Sequence, residues 1–180
     1  MNWLLDLDKQ WFQLINLSGS ESWDGFMLWV THKLTWIPLY LFLILKIIKQ
    51  YGNKSISIFI TIGMVVALCD LGSVHFFKNV FQRLRPCHVL EHVRLVTEGC
   101  GGQYGFISSH ASNVFGLAIV IGKIINQKIL FVSLFLWAVL VSFSRVYVGV
   151  HYPLDIVGGM LWGTFVALVC LKIYNQFLKK

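Results

Sequence analysis

Three short clusters in the second half of the chain carry side chains suited to phosphate chemistry. They occupy residues 78–86, 108–110 and 144–155. Guanidinium groups bind phosphate through paired hydrogen bonds. An imidazole held by a carboxylate can attack phosphorus, and a second imidazole can protonate the leaving oxygen. The clusters therefore predict a phosphate site with its own nucleophile and acid, and nothing in them demands a metal.

The first two clusters supply cations and a helix start. Lys78 and Arg85 are seven residues apart, so a continuing helix would point both the same way, and Pro86 is expected to end that helix. The segment 108–110 precedes an apolar stretch, and a helix N-terminus there would offer free N–H groups to an anion. Ser108 could cap this helix and also donate to a bound oxyanion.

The third cluster places a carboxylate next to an imidazole. Asp155 follows His151 by four residues across a turn that contains Pro153. At this spacing the carboxylate can bond to the ring and select its tautomer. An alternative for part of this cluster is a structural pair between Arg145 and Asp155, which is compatible with catalysis.

Together the clusters resemble the three-part signature of the type 2 phosphatidic acid phosphatase superfamily: Lys-x6-Arg-Pro, Pro-Ser-Gly-His and Ser-Arg-x5-His-x3-Asp. The first and third parts match fully. In the second part, Ile107 replaces Pro and Ser109 replaces Gly, whereas Ser108 and His110 are kept. The resemblance covers residues 78–155 by motif and the remaining residues by hydropathy only.

The resemblance implies a role for each matching residue. His151 is expected to be the nucleophile that forms a phosphohistidine, with Asp155 as its partner and His110 as the acid. The residues expected to bind phosphate, by side chain or backbone amide, are Lys78, Arg85, Ser108, Ser109 and Arg145. The family's activity implies no cofactor and no required metal.

Composition indicates where such a site would lie. The chain has 180 residues, of which 57% are hydrophobic and 13% charged, with mean hydropathy +0.70. Soluble proteins have about 45–50% apolar and about 25% charged residues, so an ordinary soluble domain is excluded. The net charge of +7 comes from basic residues that interrupt apolar runs, which disfavours a nucleic-acid partner. We expect one integral-membrane phosphatase domain over residues 1–180.

The fold class predicted is all-α, a polytopic membrane bundle with five or six spans and an N-terminal interfacial helix. Residues 20–33 form either a second interfacial helix or an extension of the first span. Residues 1–18 have an apolar stripe and no signal-peptide pattern, so they predict an amphipathic helix, lying at the bilayer surface or packed on the bundle. The five apolar stretches are residues 34–49, 55–77, 108–125, 129–147 and 153–175.

Charge predicts the orientation. Eight lysines lie at ends that a five-span chain places on one side, and no acid accompanies them there, so this side is expected to be cytoplasmic. All four arginines lie on the opposite side. The site is thus predicted to face the periplasm or exterior of a bacterial inner membrane. The eight lysines are Lys46, Lys49, Lys54, Lys123, Lys128, Lys172, Lys179 and Lys180.

Outside the signature, Cys87 and Cys100 share one outer loop and predict a disulfide, because that compartment is oxidising. The alternative is a zinc site that adds His88 and His92 to the two cysteines. Asp70 lies within the second apolar stretch, and we expect it to support Lys78 or to bond to a neighbouring helix.

Two further features are less directly tied to the signature. Arg94 could contact a substrate head group. The glycines at 158, 159 and 163 indicate close helix packing.

The leading hypothesis is a metal-independent phosphatase whose partners are a membrane lipid substrate and the bilayer. Lipid A and undecaprenyl diphosphate are favoured over phosphatidylglycerol phosphate and phosphatidic acid, because short outer loops suit an open site for a bulky head group. Two alternatives remain: a lipid phosphotransferase, and a non-catalytic protein that binds or transports lipid.

Overall fold

Helices dominate the computed structural model, which describes residues 2–178. The all-α class is therefore confirmed. Residues 73–78 continue the helix that ends at Gly72, and residues 174–178 continue the helix that ends at Ile173, both with a slightly wider helical turn. The α-helices in chain order are α1 (Asn2–Leu17), α2 (Glu21–Thr31), α3 (Ile37–Tyr51), α4 (Ser55–Gly72), α5 (Asn79–Phe81), α6 (Pro86–Val89), α7 (Ser109–Ile125), α8 (Lys128–Tyr147) and α9 (Pro153–Ile173).

Helix α7 lies at the centre of the bundle. It packs against α4, α8 and α9, and most of its residues are buried, whereas α4 and α9 expose apolar side chains on their outer faces. A helix that is apolar on the outside as well as on the inside fits a lipid environment rather than water. The core therefore stabilises the bundle from within, and the outer faces are suited to acyl chains.

The five predicted apolar stretches correspond to α3, α4 with its continuation, α7, α8 and α9. By length and hydropathy, Lys33–Phe81, Lys128–Tyr147 and Pro153–Leu178 can cross a membrane, while the apolar Ser109–Ile125 is shorter. Residues 20–33 mostly form the separate helix α2. The number of spans stays a prediction, and Lys179 and Lys180 of the orientation argument lie outside the described residues.

Helix α1 packs on the bundle, which is one of the two arrangements expected for it, and its position at a bilayer surface stays a prediction. Its apolar stripe faces outward, with Trp3 and Leu14 exposed by 70% and 60%. Its opposite face, which includes Asp8, Phe12 and Asn16, is buried against the rest of the protein. The helix thus packs on the bundle through one face and offers its apolar stripe to the surroundings, as an interfacial helix does.

Two glycines allow α9 to approach α7 closely. A Cβ atom added to Gly159 would lie 2.6 Å from the carbonyl oxygen of Ser108, and one added to Gly163 would overlap the carbonyl oxygen of Ser112. In both cases the obstacle is backbone and cannot rotate away. This contact keeps the N-terminus of α7 beside the start of α9, where the second and third clusters lie.

We predict that Gly163→Ala destabilises the protein, because its methyl group must push α7 away from α9. Overpacking of this kind costs about 1–3 kcal/mol, which lowers the melting temperature by several degrees. Gly63→Ala on α4 is the matched control, since a Cβ atom there meets nothing within 4 Å. Thermal unfolding in detergent micelles measures both variants, and equal melting temperatures would contradict the close-packing assignment.

Candidate active site

A cavity of about 720 Å³ opens between α3, α4, α7 and α8. Most of its wall is apolar, with residues such as Leu43, Phe59 and Trp137 along its length. Polar side chains from all three clusters gather at one end, which we call the polar end. They are Lys78, Arg85, Ser109, His110, Arg145 and His151. A ligand with a phosphate and an apolar chain matches this division.

Arg85 reaches the polar end by a route that the sequence argument missed. The expectation that one helix carries both Lys78 and Arg85 is wrong: the helix ends at Phe81, and Gln82 has a positive φ of 46°. The chain then runs extended, and the backbone N–H of Arg85 donates to the carbonyl of Gln103 at 3.2 Å. Pro86 does not end a helix, because it begins α6.

His151 and Asp155 form the buried centre of the polar end. Nδ1 of His151 lies 3.2 Å from Oδ2 of Asp155, which also accepts the backbone N–H of Tyr152 at 3.0 Å. His151 is 2% exposed and Asp155 is fully buried. The tight turn before α9 produces this geometry, since Asp155 caps the helix that begins at Pro153.

The surroundings define which nitrogen of His151 is free. Nη1 of Arg85 lies 3.4 Å from Nε2 of His151, and a guanidinium can only donate. Nε2 is therefore the acceptor, and Nδ1 carries the hydrogen that is donated to Asp155. Burial, together with the positive charges of Arg85, Arg145 and Lys78, holds the pKa of His151 well below its usual range. The ring is neutral, with a lone pair on Nε2.

Ser109 and Ser108 differ in their surroundings. Lys78 donates to Oγ of Ser109 at 2.7 Å, and the same oxygen lies 2.6 Å from Oγ of Ser73. Ser108 is fully buried, and its Oγ accepts from the backbone N–H of Ala111 at 3.4 Å as the cap of α7. Ser109 thus lines the cavity, whereas Ser108 caps α7, which is one of the two roles expected for it.

The arginines at the polar end have few partners. Arg145 donates to Thr31 at 2.6 Å, and its Nε, like that of Arg85, has no hydrogen-bond partner among the described residues. Burial lowers the pKa of Arg85, so its charge is costly there without an anion. The alternative pair of Arg145 with Asp155 is wrong, because the guanidinium that bonds Asp155 belongs to Arg83.

His110 and Asp70 are the expected acid and a carboxylate expected to support the site. His110 lies in the first turn of α7 and lines the cavity together with the other residues of the polar end. Asp70 also lines the cavity and is exposed. Its carboxylate forms no hydrogen bond or ion pair with the described residues, so the expected bond to a neighbouring helix is absent there, and support of Lys78 stays a prediction.

A disulfide and contacts with the N-terminal helices hold the outer loop in place. Cys87 and Cys100 are joined by a disulfide, with Cα atoms 6.0 Å apart. A bridged pair has no thiolate left for zinc, so the structure contradicts the zinc alternative. Arg94 pairs with Asp24 of α2, and its backbone N–H donates to Asn16. Arg94 therefore anchors the loop to the N-terminal helices rather than lining the cavity.

Sequence reasoning missed two residues next to the centre. Arg83 donates to Oδ1 of Asp155 at 3.0 Å and to Oδ2 of Asp8 at 2.6 Å. Asp8 also accepts the backbone N–H of Leu154 at 2.9 Å. The only available signal was that Arg83 is a third cation within the first cluster. Nothing in the sequence distinguishes Asp8 from its neighbour Asp6.

A helical bundle with an apolar cavity, a cationic end and a carboxylate-held histidine is suited to a lipid that carries a phosphate group. The sequence model of the PAP2 superfamily matches residues 54–179, and the chain belongs to this superfamily. The similarities support a lipid phosphate phosphatase of the PAP2 type.

Three proteins are similar to the chain over most of its length. It is 33% identical to a lipid A 4'-phosphatase of Porphyromonas gingivalis, over 97% of this chain and 75% of that protein. It is 33% identical to an undecaprenyl-diphosphatase of Sulfolobus acidocaldarius, over 90% and 76%. A PAP2-type phosphatidylglycerolphosphate phosphatase from Bacillus subtilis shares the fold, with a TM-score of 0.75 and 20% identity over 98% and 89%.

The lowered pKa of His151 predicts a dependence of stability on pH. The folded protein keeps this ring neutral, whereas the unfolded chain takes up a proton below about pH 6.5. His151 therefore contributes stability above that pH and loses it as the pH falls, by up to about 1.4 kcal/mol per pH unit. Between pH 7.5 and 5.5, the melting temperature of the wild type should fall more than that of His151→Gln. Equal falls would contradict the neutral ring.

Proposed function

We propose that the protein removes a phosphate from a membrane lipid through a phosphohistidine on His151. The observation that supports this most strongly is the pairing of Nδ1 of His151 with Asp155, which leaves Nε2 without a hydrogen and next to Arg85 at the cationic end of the cavity. A phosphate at that end would meet an unprotonated nucleophile and several unneutralised cations. A purely structural histidine would not need this arrangement.

In the first step, the lone pair of Nε2 forms a bond to phosphorus while the bond from phosphorus to the leaving oxygen breaks. His110, in the first turn of α7, donates the proton that the leaving oxygen needs. Lys78, Arg85 and Arg145 stabilise the charge that builds up on the phosphoryl oxygens. Asp155 stabilises the positive charge that develops on the imidazole ring.

In the second step, water attacks the phosphohistidine. His110, now neutral, takes a proton from this water, the nitrogen–phosphorus bond breaks, and inorganic phosphate leaves. His151 returns to its neutral form with its hydrogen on Nδ1. The two steps use the same groups in opposite directions, so no metal or cofactor enters the proposal.

The apolar part of the cavity supports a lipid as substrate. Side chains of α3, α4, α7 and α8 line it from the polar end inward, including Tyr40, Ile62, Leu117 and Leu134. An acyl or prenyl chain placed there would bury its apolar surface while its phosphate meets the cations. We further propose that the polar end faces the periplasm or exterior, as the distribution of lysines indicates.

We expect His151→Ala to lose phosphate release from lipid substrates by at least about 1,000-fold, because no other group supplies the nucleophile. The measurement is phosphate release in detergent micelles with a chelator present. His92→Ala is the matched control, since His92 is exposed in the outer loop, and its rate should stay at the wild-type level. Wild-type rates in His151→Ala would refute the nucleophile assignment.

Rapid quenching of a reaction with labelled substrate tests the intermediate itself. The wild type should yield labelled protein that is stable in base and loses its label in acid, as phosphohistidine does. Label passed to an added lipid or sugar instead of water would indicate the phosphotransferase alternative.

For the substrate, we propose lipid A first and undecaprenyl diphosphate second. The lipid A 4'-phosphatase of Porphyromonas gingivalis matches nearly the whole chain at 33% identity, and the undecaprenyl-diphosphatase of Sulfolobus acidocaldarius is equally identical over slightly less of it. The outer segment that carries the disulfide of Cys87 and Cys100 is long, spanning residues 82–108, so the ranking rests on these similarities rather than on short outer loops.

A side-by-side assay of four lipids distinguishes these candidates. We expect kcat/KM to be highest for lipid A, then undecaprenyl diphosphate, with phosphatidylglycerol phosphate and phosphatidic acid at least about 10-fold lower, a difference of about 1.4 kcal/mol in transition-state binding. His151→Ala assayed on each lipid gives the background. A preference for phosphatidic acid would contradict the substrate ranking while leaving the phosphatase itself intact.

A further inference from the structure

A chain of charged side chains connects the proposed nucleophile to helix α1. Oδ2 of Asp155 faces Nδ1 of His151 at 3.2 Å, and its Oδ1 accepts from Nη1 of Arg83 at 3.0 Å. Nη2 of the same guanidinium donates to Asp8 at 2.6 Å. Helix α1 is thus connected to the carboxylate of Asp155 through the side chains of Asp8 and Arg83.

This chain of contacts is buried. Asp8 is 3% exposed although it lies on a helix whose other face is open, and Asp155 is fully buried. The guanidinium of Arg83 lies over the ring of Tyr152, 4.1 Å from its centroid, and the same ring packs edge-on against Phe12 of α1. A carboxylate so buried is costly unless it is paired, and here both oxygens of Asp8 have partners.

The number of charges matters as much as the contacts. One guanidinium is shared by two carboxylates, so with both carboxylates ionised the group of Asp8, Arg83 and Asp155 carries a net charge of one negative. If Arg83 had Asp155 as its only partner, both its outer nitrogens could turn to that carboxylate and neutralise it. Because Asp8 holds Nη2, Asp155 keeps its negative charge directed at His151. That charge stabilises the positive charge that develops on the ring when a bond to phosphorus forms.

We propose that Asp8 and Arg83 are positioning residues for phosphoryl transfer, through which helix α1 controls the orientation and charge of Asp155. This inference rests on the proposed function, because it concerns the group that holds the proposed nucleophile. Since neither residue lines the polar end where phosphate would bind, their loss should affect the chemical step rather than substrate binding.

Asp8→Asn tests the inference with little change in shape, because it removes the charge and keeps an acceptor oxygen for Leu154. In the full-length protein in micelles, kcat should fall about 10-fold, as expected for a slightly misplaced reacting group, while KM stays within about twofold. Arg83→Lys should recover part of the activity that Arg83→Gln loses, because the lysine keeps one donor and the charge.

A double-mutant cycle shows whether Asp8 acts through Asp155. In the Asp155→Asn background, adding Asp8→Asn should lower kcat by less than about twofold, since the carboxylate through which it acts is already gone. An equal loss in both backgrounds would overturn the inference.

Asn16→Ala is the matched control on the same helix. Asn16 donates to the backbone carbonyls of Arg94 and Tyr147 at 2.9 and 2.8 Å and, among the described residues, forms no hydrogen bond with Arg83. This variant should loosen α1 and lower the melting temperature while kcat stays within about twofold of the wild type. If it lowers kcat as much as Asp8→Asn does, α1 acts only as a structural support and the inference fails.

His151→Ala separates the two proposals. If this variant keeps its activity, the proposed nucleophile is wrong and the positioning inference falls with it. If it is inactive while Asp8→Asn is as fast as the wild type, the nucleophile stands and the positioning inference alone is overturned.

Discussion

The structure around the site depends on one buried carboxylate. The side chain of Asp155 bonds to His151, to Arg83 and to the backbone N–H of Tyr152, and its backbone carbonyl accepts the N–H of Ser108 at 3.0 Å. These partners belong to the loop before α9, the extended segment after α5 and the start of α7. A buried charge must have such partners to be tolerated, and by collecting them Asp155 brings all three sequence clusters together.

A second constraint follows from the opposite charge. Lys78, Arg85 and Arg145 line one end of an apolar cavity, and no acid of the described residues bonds to any of them. Asp155 and Asp8 share Arg83, and Asp24 pairs with Arg94, whereas Asp70, which also lines the cavity, forms no ion pair among the described residues. The protein therefore satisfies its structural arginines internally and leaves the cavity cations for an anionic ligand. This separation, rather than the net charge of +7, supports the proposal that the polar end binds phosphate.

The sequence was most informative where local patterns decide the structure. The five apolar stretches predicted the main helices within a few residues, and the third cluster predicted contact between His151 and Asp155, because four residues and one turn determine it. Contacts between distant segments could not be predicted. The left-handed turn at Gln82 redirects the chain to Arg85, and the pairing of Arg83 with Asp8 depends on how α1 docks. The apolar stripe of α1 is the obvious signal in its sequence, yet the residues that pack on the bundle are Asp8, Phe12 and Asn16 on the other face.

The departure from the family signature at Ser109 has a physical explanation in the structure. A glycine at this position would let phosphate approach the backbone of the helix start closely, and a serine side chain takes some of that space. Its hydroxyl is not idle, however, because it accepts from Lys78 and bonds to Ser73 on the continuation of α4. The ammonium group of Lys78 is thereby held at the N-terminus of α7, where the helix dipole also attracts an anion. With serine at position 109, phosphate cannot come as close to the backbone as it could with glycine, but the hydroxyl orients Lys78. The phosphate is therefore expected to lie nearer to the cationic side chains than to the backbone amides of α7.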